Sequence, residues 1–238
     1  MSEYTPNLLN AVSEFFGDNV SCLSYPAKSL LPNKKDTFSG VDVEVHFSGI
    51  KEHYLDLIRT HDAVFGCVAW LTDGDFLYEA SKKRSAFVIQ KEDFLRDDGV
   101  ARDRSFKNYI RSKYSKLKGT EKHFFHNALS SMSYCGDPGL DGVSCFGMSE
   151  KSMKRPNMHH KFLVFCDTEE NESHVPKVVT TGSYNITANA RNSLENIVTI
   201  KSEEVAEMYY QWFGAIASMS EPLDWKNEYI NPRWRIGS

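Results

Sequence analysis

The run Ala63–Leu71, AVFGCVAWL, carries no charged side chain and shows no alternation of polar with apolar residues. A strand with one wet face alternates, so an unbroken run of this length reads as a central strand covered on both faces. Phe162–Cys166 (FLVFC) and Ala86–Gln90 (AFVIQ) are further runs of the same kind, and Val178–Thr181 reads as the partner of the first of these. Val41–Phe47 (VDVEVHF) alternates and reads as a strand of the ordinary half-buried sort. Between the strands, Ile50, Tyr54, Leu57 and Ile58 fall at helical spacing, and Asp73 or Asp75 is placed to cap a helix over Phe76–Lys83. Glu195–Lys201 reads as a strand. Ser202 then caps a last helix whose stripe is Val205, Met208, Tyr209, Trp212, Phe213 and Ile216. Strands alternating with helices predict an α/β fold: a mixed, mostly parallel central sheet sandwiched by helices. Trp70, at the end of the first run, is expected as core or rim packing.

One constellation of polar residues sits among these elements: His159-His160-Lys161, then Gly182-Ser183-Tyr184-Asn185, then Glu195-Asn196. Side chains two apart on a strand share a face, so His159 and Lys161 point one way and His160 the other. Ser183 and Asn185, again two apart, follow the strand at Val178–Thr181. An imidazole, an ammonium, a hydroxyl and an amide can thereby converge on one tetrahedral anion. The pattern occurs once, and no internal repeat accompanies it.

The run MHHKFLVFCD…TTGSYNITANARNSLENIVTI resembles the H-x-K / G-S-x-N signature of the phospholipase D superfamily, the HKD motif. The upstream order VEVHFSG, helix, VFGCVAWLTDGDFLYEA, AFVIQ is similar to that family's single-motif nucleases, so the likeness covers roughly residues 41–217. The resemblance implies roles. His159 would be the nucleophile, attacking phosphorus to form a phosphohistidine; Lys161, Ser183 and Asn185 would stabilise charge on the non-bridging oxygens. Glu195 would accept a hydrogen bond from the second nitrogen of the nucleophile, as the third member of a triad does. The family's aspartate follows the lysine by five positions, which is Cys166 here, with Asp167 one further on; a lengthened hairpin loop, TEENESHVPK, is expected to displace it. Single-motif members form homodimers in which two motifs meet, so an isologous dimer with a composite site is implied. The family's chemistry needs no metal and no cofactor.

The remaining chain bounds the function less tightly. With 41% hydrophobic and 25% charged residues the chain can bury an ordinary core, which excludes a wholly disordered protein. A net charge of −4 gives no global basic signature, so a nucleic-acid partner needs a local patch. The stretch 102–118 supplies a candidate, either a solvated helix face or a substrate surface: Arg104, Lys107, Arg111 and Lys113 are interleaved with Phe106, Tyr109 and Tyr114. His123 and His126 have ligand-like spacing on a helix, but no metal site is assigned. Five cysteines at irregular spacing, without a secretory signal or a membrane-spanning run, suggest a cytoplasmic protein. The expected organisation is an N-terminal extension (1–40), a catalytic domain (41–217) with a basic insertion at about 91–142, and a C-terminal tail (218–238). The expected function is a metal-independent phosphodiesterase, a homodimeric nuclease cleaving DNA or RNA. The alternatives are a phospholipid phosphodiesterase and a non-catalytic dimer that binds nucleic acid or phosphate.

Overall fold

A computed structural model describes residues 41–90, 104–146 and 157–223. The expected extension (1–40), most of the tail and Cys22 lie outside the described residues. Strands β1 (Asp42–His46), β2 (Ala63–Val68), β3 (Arg84–Gln90), β6 (Val143–Phe146), β7 (Lys161–Thr168), β8 (His174–Gly182), β9 (Ile197–Lys201) and β10 (Glu221–Pro222) form one sheet in the order β1-β9-β8-β7-β2-β3-β6-β10. A small ribbon of β4 (Thr120–Glu121) and β5 (Gly139–Leu140) stands apart. The sheet is mixed, as expected, but its pairing is not mostly parallel. Only β2–β3 and β3–β6 run parallel; the other junctions are antiparallel. The physical reason lies in the connections. Helices cross over between β2, β3 and β6, whereas β7 and β8 are joined by a tight hairpin, which permits only antiparallel pairing.

The helices divide by face. Helices α1 (Ile50–Thr60), α2 (Gly74–Ser81) and α3 (Arg104–Tyr114) cover one side. There Tyr54, Ile58, Phe76, Leu77, Ile110 and Tyr114 pack with Leu163, Phe165, Tyr184 and Ile186. Helices α4 (Ala128–Gly136) and α5 (Glu203–Ser218) cover the other side, where Leu129, Tyr210 and Phe213 meet Phe65, Phe162, Val164 and Cys166. Strand β7 thus feeds both cores by simple alternation, which is why FLVFC reads as an unbroken apolar run. The expected caps are made. Asp73 accepts from the backbone N–H groups of Asp75 and Phe76, and Ser202 from that of Val205. Helix α3, in the segment expected as an insertion, contributes Ile110 and Tyr114 to the main core.

Two expectations about the β7–β8 hairpin change. The polar stretch after Asp167 does not form a long loop: β8 begins at His174 and the ladder continues to the pair Thr168–His174. The register slips instead at an irregularity beside Phe165 and Cys166, where Cys166 faces Pro176 and Lys177 is passed over. Cys166 is fully buried in the α5-side core. Asp167 faces the other way and its carboxylate meets His61 Nδ1 at 2.9 Å. It lies from position 161 to 167 down the strand, roughly 20 Å from Lys161 at about 3.3 Å per residue. Asp167 therefore ties β7 to the end of α1 and is remote from the nucleophile.

Candidate active site

The motif residues gather where β2 and β8 end and β7 and β9 begin. Crevices outside the carboxyl ends of strands are the usual ligand sites of open α/β sheets. Phe162 pairs with Thr181, so one step further the ladder sets Lys161 beside Gly182 and sends Ser183 past the start of β7. Gly182 is required there: a Cβ would collide with the carbonyl of Asn196, the residue just before β9. The next residues leave the sheet in strict alternation. Tyr184 and Ile186 turn into the core, which leaves Ser183 and Asn185 on the outer side.

Backbone bonds hold this loop against the end of β2. Ile186 N–H donates to the Trp70 carbonyl at 3.0 Å, and the Ile186 carbonyl accepts from Thr72 (2.7 Å) and Asp73 (3.0 Å). Beneath it lies an ion pair that no sequence motif announced. Lys51 of α1, almost fully buried, reaches Asp73 at 3.0 Å and Asp75 at 2.6 Å. Burial opposes the charge on Lys51, but the hydrogen bonds to Asp75 and Asp73 outweigh it and raise its pKa. In the sequence Asp73 and Asp75 stood only as alternative caps for the following helix.

His159 is exposed and its ring lies against Lys161 Nζ, at 3.3 Å from Nε2 and 3.4 Å from Nδ1. The ammonium also donates to the His159 carbonyl at 3.1 Å. Lys161 is only 9% exposed. Burial lowers its pKa, and the nearby charge of Glu195 offsets part of that effect. His160 faces the opposite core, as alternation predicts: Trp212 Nε1 donates to its Nε2 at 3.4 Å. Burial, then the charges of Lys161 and His159, lower the His160 pKa, so it is kept neutral as an acceptor.

Glu195 does not bond His159. It accepts the Ser183 hydroxyl, whose oxygen in turn accepts the Asn196 backbone N–H at 3.1 Å. The reason is the β8–β9 ladder, which places the Ser183 backbone against the Asn196 carbonyl at 3.0 Å and Glu195 beside it. Ser183 and Glu195 thus form a pair of their own, coupled to Lys161 through charge. Asn185 Oδ1 is buried with no hydrogen-bond partner. An unpaired amide of this kind costs stability unless a ligand engages it, and an amide turned end for end offers a donor at the same place.

Arg104, Lys107, Arg111 and Lys113 all belong to α3. Lys113 lies 5.3 Å from the Tyr109 ring. His123 falls on a short 3-10 turn and pairs with Glu121 at 3.0 Å, while His126 follows with positive φ. The two histidines therefore lack the helical spacing expected of them. Trp70 is not core: it is 48% exposed. Among the described residues no helix is long and apolar enough to cross a membrane.

A family model described as cardiolipin synthase, PLD-like domain, matches residues 133–217, the stretch that contains the motif. An uncharacterized protein of Acanthamoeba polyphaga mimivirus is 29% identical over 213 residues, covering 82% of this chain and 72% of that protein. Among solved structures, the chain is similar to NucT from Helicobacter pylori, at 10% identity and a TM-score of 0.47, over 76% of this chain and 99% of that one. It is also similar to the phospholipase D family member Nuc from Salmonella typhimurium, at 16% identity and a TM-score of 0.42, over 76% and 97%. The H-x-K and G-S-x-N residues, assembled at one end of the mixed sheet, lie inside the stretch that is similar to the PLD-like domain.

Proposed function

We propose that the protein is a metal-independent phosphodiesterase that cleaves nucleic acid through a covalent phosphohistidine on His159. The observation that carries this reading is the exposed His159 ring held 3.3 Å from a buried ammonium, Lys161. A solvent-facing imidazole nitrogen can attack phosphorus; the P–O bond to the leaving group breaks, and water later hydrolyses the P–N bond. Lys161 supplies positive charge to the non-bridging oxygens in a partly desolvated place, where it acts more strongly than in water. Asn185 adds a neutral donor. The charge stabilisation comes from side chains, so the reading requires no metal and no cofactor.

The leaving oxygen needs a proton that His159 cannot give while it is bonded to phosphorus. A second copy of the motif, brought across a two-fold axis, supplies the missing imidazole, so the active form is a homodimer with one composite site. The basic helix α3 favours nucleic acid over phospholipid, and a cytoplasmic setting fits such a substrate.

The test is to incubate the protein and its His159→Ala variant with labelled DNA, RNA and phospholipid in chelator. The expected loss in the variant is on the order of 10^4-fold or more, as for removal of a nucleophile. An acid-labile, alkali-stable covalent adduct should appear on His159 alone. Cutting at the unaltered rate by the variant sinks the reading, and an active species that sediments as a monomer sinks the composite site.

A further inference from the structure

Strand β1 is weakly anchored by burial. It lies at an edge of the sheet and, among the described residues, pairs with β9 alone. Val43 and Val45 on one of its faces, and Phe47 just after it, are each more than half exposed. Little apolar area is therefore removed from water on that side. The opposite face carries Glu44 and His46, two apart and so pointing the same way.

After β1 the chain turns through residues 47–49, with Gly49 in the left-handed region at φ 62°, and enters α1. The first turn of α1 lays His53 over the strand, where its ring stacks on that of His46 with centroids 3.9 Å apart. His53 Nε2 meets the hydroxyl of the buried Thr199 at 2.8 Å. His46 Nε2 stands 3.4 Å from Glu44 Oε2 and is buried without a hydrogen-bond partner. One donor atom from each of Glu44, His46 and His53 lies within 4.8 Å of the other two. Three lone-pair donors turned on one another repel, and a shared proton relieves only one pair of them. A cation relieves all three. Atoms about 2.1 Å from one tetrahedral ion stand about 3.4 Å apart, so side-chain rotations of about an ångström complete the set.

We propose that Glu44, His46 and His53 bind a divalent transition ion of the zinc class, which clips the edge strand β1 to helix α1. Two imidazoles and a carboxylate suit such an ion, whereas Mg²⁺ and Ca²⁺ take oxygen ligands. His53 ligates through Nδ1 while its Nε2–H donates to Thr199, the outer-shell bond that fixes a ligating tautomer. Water fills the fourth position. Glu44 also accepts from Lys201, whose ammonium lies 3.9 Å from Asp42. Asp42 takes that ammonium when Glu44 turns to the ion. The ion has no part in phosphodiester chemistry, so the site stands or falls independently of the proposed function.

The test is to titrate the full chain, stripped of metal with chelator and then freed of the chelator, with Co²⁺ and Zn²⁺. Co²⁺ should give the visible absorption of a four-coordinate nitrogen and oxygen site, and Zn²⁺ but not excess Mg²⁺ should abolish it. His46→Asn and His53→Asn should each weaken Co²⁺ binding at least about a hundredfold, since loss of a mere outer-shell partner costs up to about that much. His123→Asn should keep the affinity. Zn²⁺ at a hundredfold excess over Kd should raise the Tm of the unaltered protein by about 5 to 10 °C and leave that of the two ligand variants in place. Lys201→Met alters an exposed side chain and keeps the test decisive should the ligand variants misfold. It withdraws a competing cation, so Co²⁺ should bind about tenfold more tightly. Failure of the unaltered protein to bind Co²⁺, equal affinity in the ligand variants, or no gain in Lys201→Met overturns the proposal.

Discussion

The two halves of the candidate site are built differently. The Ser183–Asn185 half is fixed from below and from both sides: Tyr184 and Ile186 are in the core, the backbone is bonded to residues 70–73, and Lys51 and Asp73 form a buried pair under it. In the His159 half the backbone on either side is held, by Met158 N–H on Gln90 and by Ala69 N–H on the His160 carbonyl, but among the described residues the His159 side chain itself has no such brace. Its ring is exposed, and the hydrogen-bond partner of that ring is Lys161. Under the proposed function, the difference separates two demands of phosphoryl chemistry. Groups that stabilise a developing charge work best when held in advance, because nothing then has to reorganise as the charge forms. A nucleophile must instead accept a new bond and release it, and it tolerates a looser seat until substrate or a partner subunit closes on it.

The comparison can be broken at its firm end first. Lys51→Met leaves Asp73 buried without its cation and is expected to cost about 3 kcal/mol, as for one partner of a buried pair. For a domain of this size that corresponds to a drop of about 10 °C in Tm by thermal unfolding. A loss near that of an exposed pair, below about 1 kcal/mol, would show that backbone bonds alone hold the loop. Asn185→Ala asks whether the fixed half acts on the transition state. A fall of about a hundredfold in kcat with little change in KM is expected for one lost donor. A change confined to KM would make Asn185 a binding group only.

The smallest effect concerns the link between the halves. Glu195 accepts from Ser183 but also pulls the Lys161 pKa upward against burial. Glu195→Gln removes that pull, so Lys161 loses its proton at lower pH. The protonated form is the one that meets phosphate, hence the alkaline limb of kcat/KM against pH should move to lower pH. A limb that stays in place would assign it to another group and leave Glu195 a partner of Ser183 alone.

Several of these features were legible in the chain. The apolar runs located β2, β3 and β7, because residues that feed two cores cannot alternate in polarity. Ser202 and Asp73 announced their helices, since a side-chain oxygen before a helix satisfies local N–H groups and needs no distant partner. Alternation also separated His159 and Lys161 from His160, which packs against Trp212. The misreadings share a cause. Glu195 was assigned to His159 by analogy, but the β8–β9 register delivers it to Ser183. Trp70 followed an apolar run and was expected as core or rim packing; the run leaves the sheet before reaching it, which removes the core alternative. The parallel bias was inferred from alternating elements, although a hairpin at β7–β8 reverses the chain.

By itself, then, the sequence determined the local periodicities, the helix caps and the presence of one set of polar residues, His159, Lys161, Ser183 and Asn185, able to converge. Each of these depends on residues within a turn or two of one another. The tertiary structure alone decided which carboxylate meets which hydroxyl, that Lys51 lies under the Ser183–Asn185 loop, and that Trp70 is half-exposed beside it. Those contacts join segments far apart in the chain, and their partners are chosen by strand register and by the packing of helices on the two faces of the sheet.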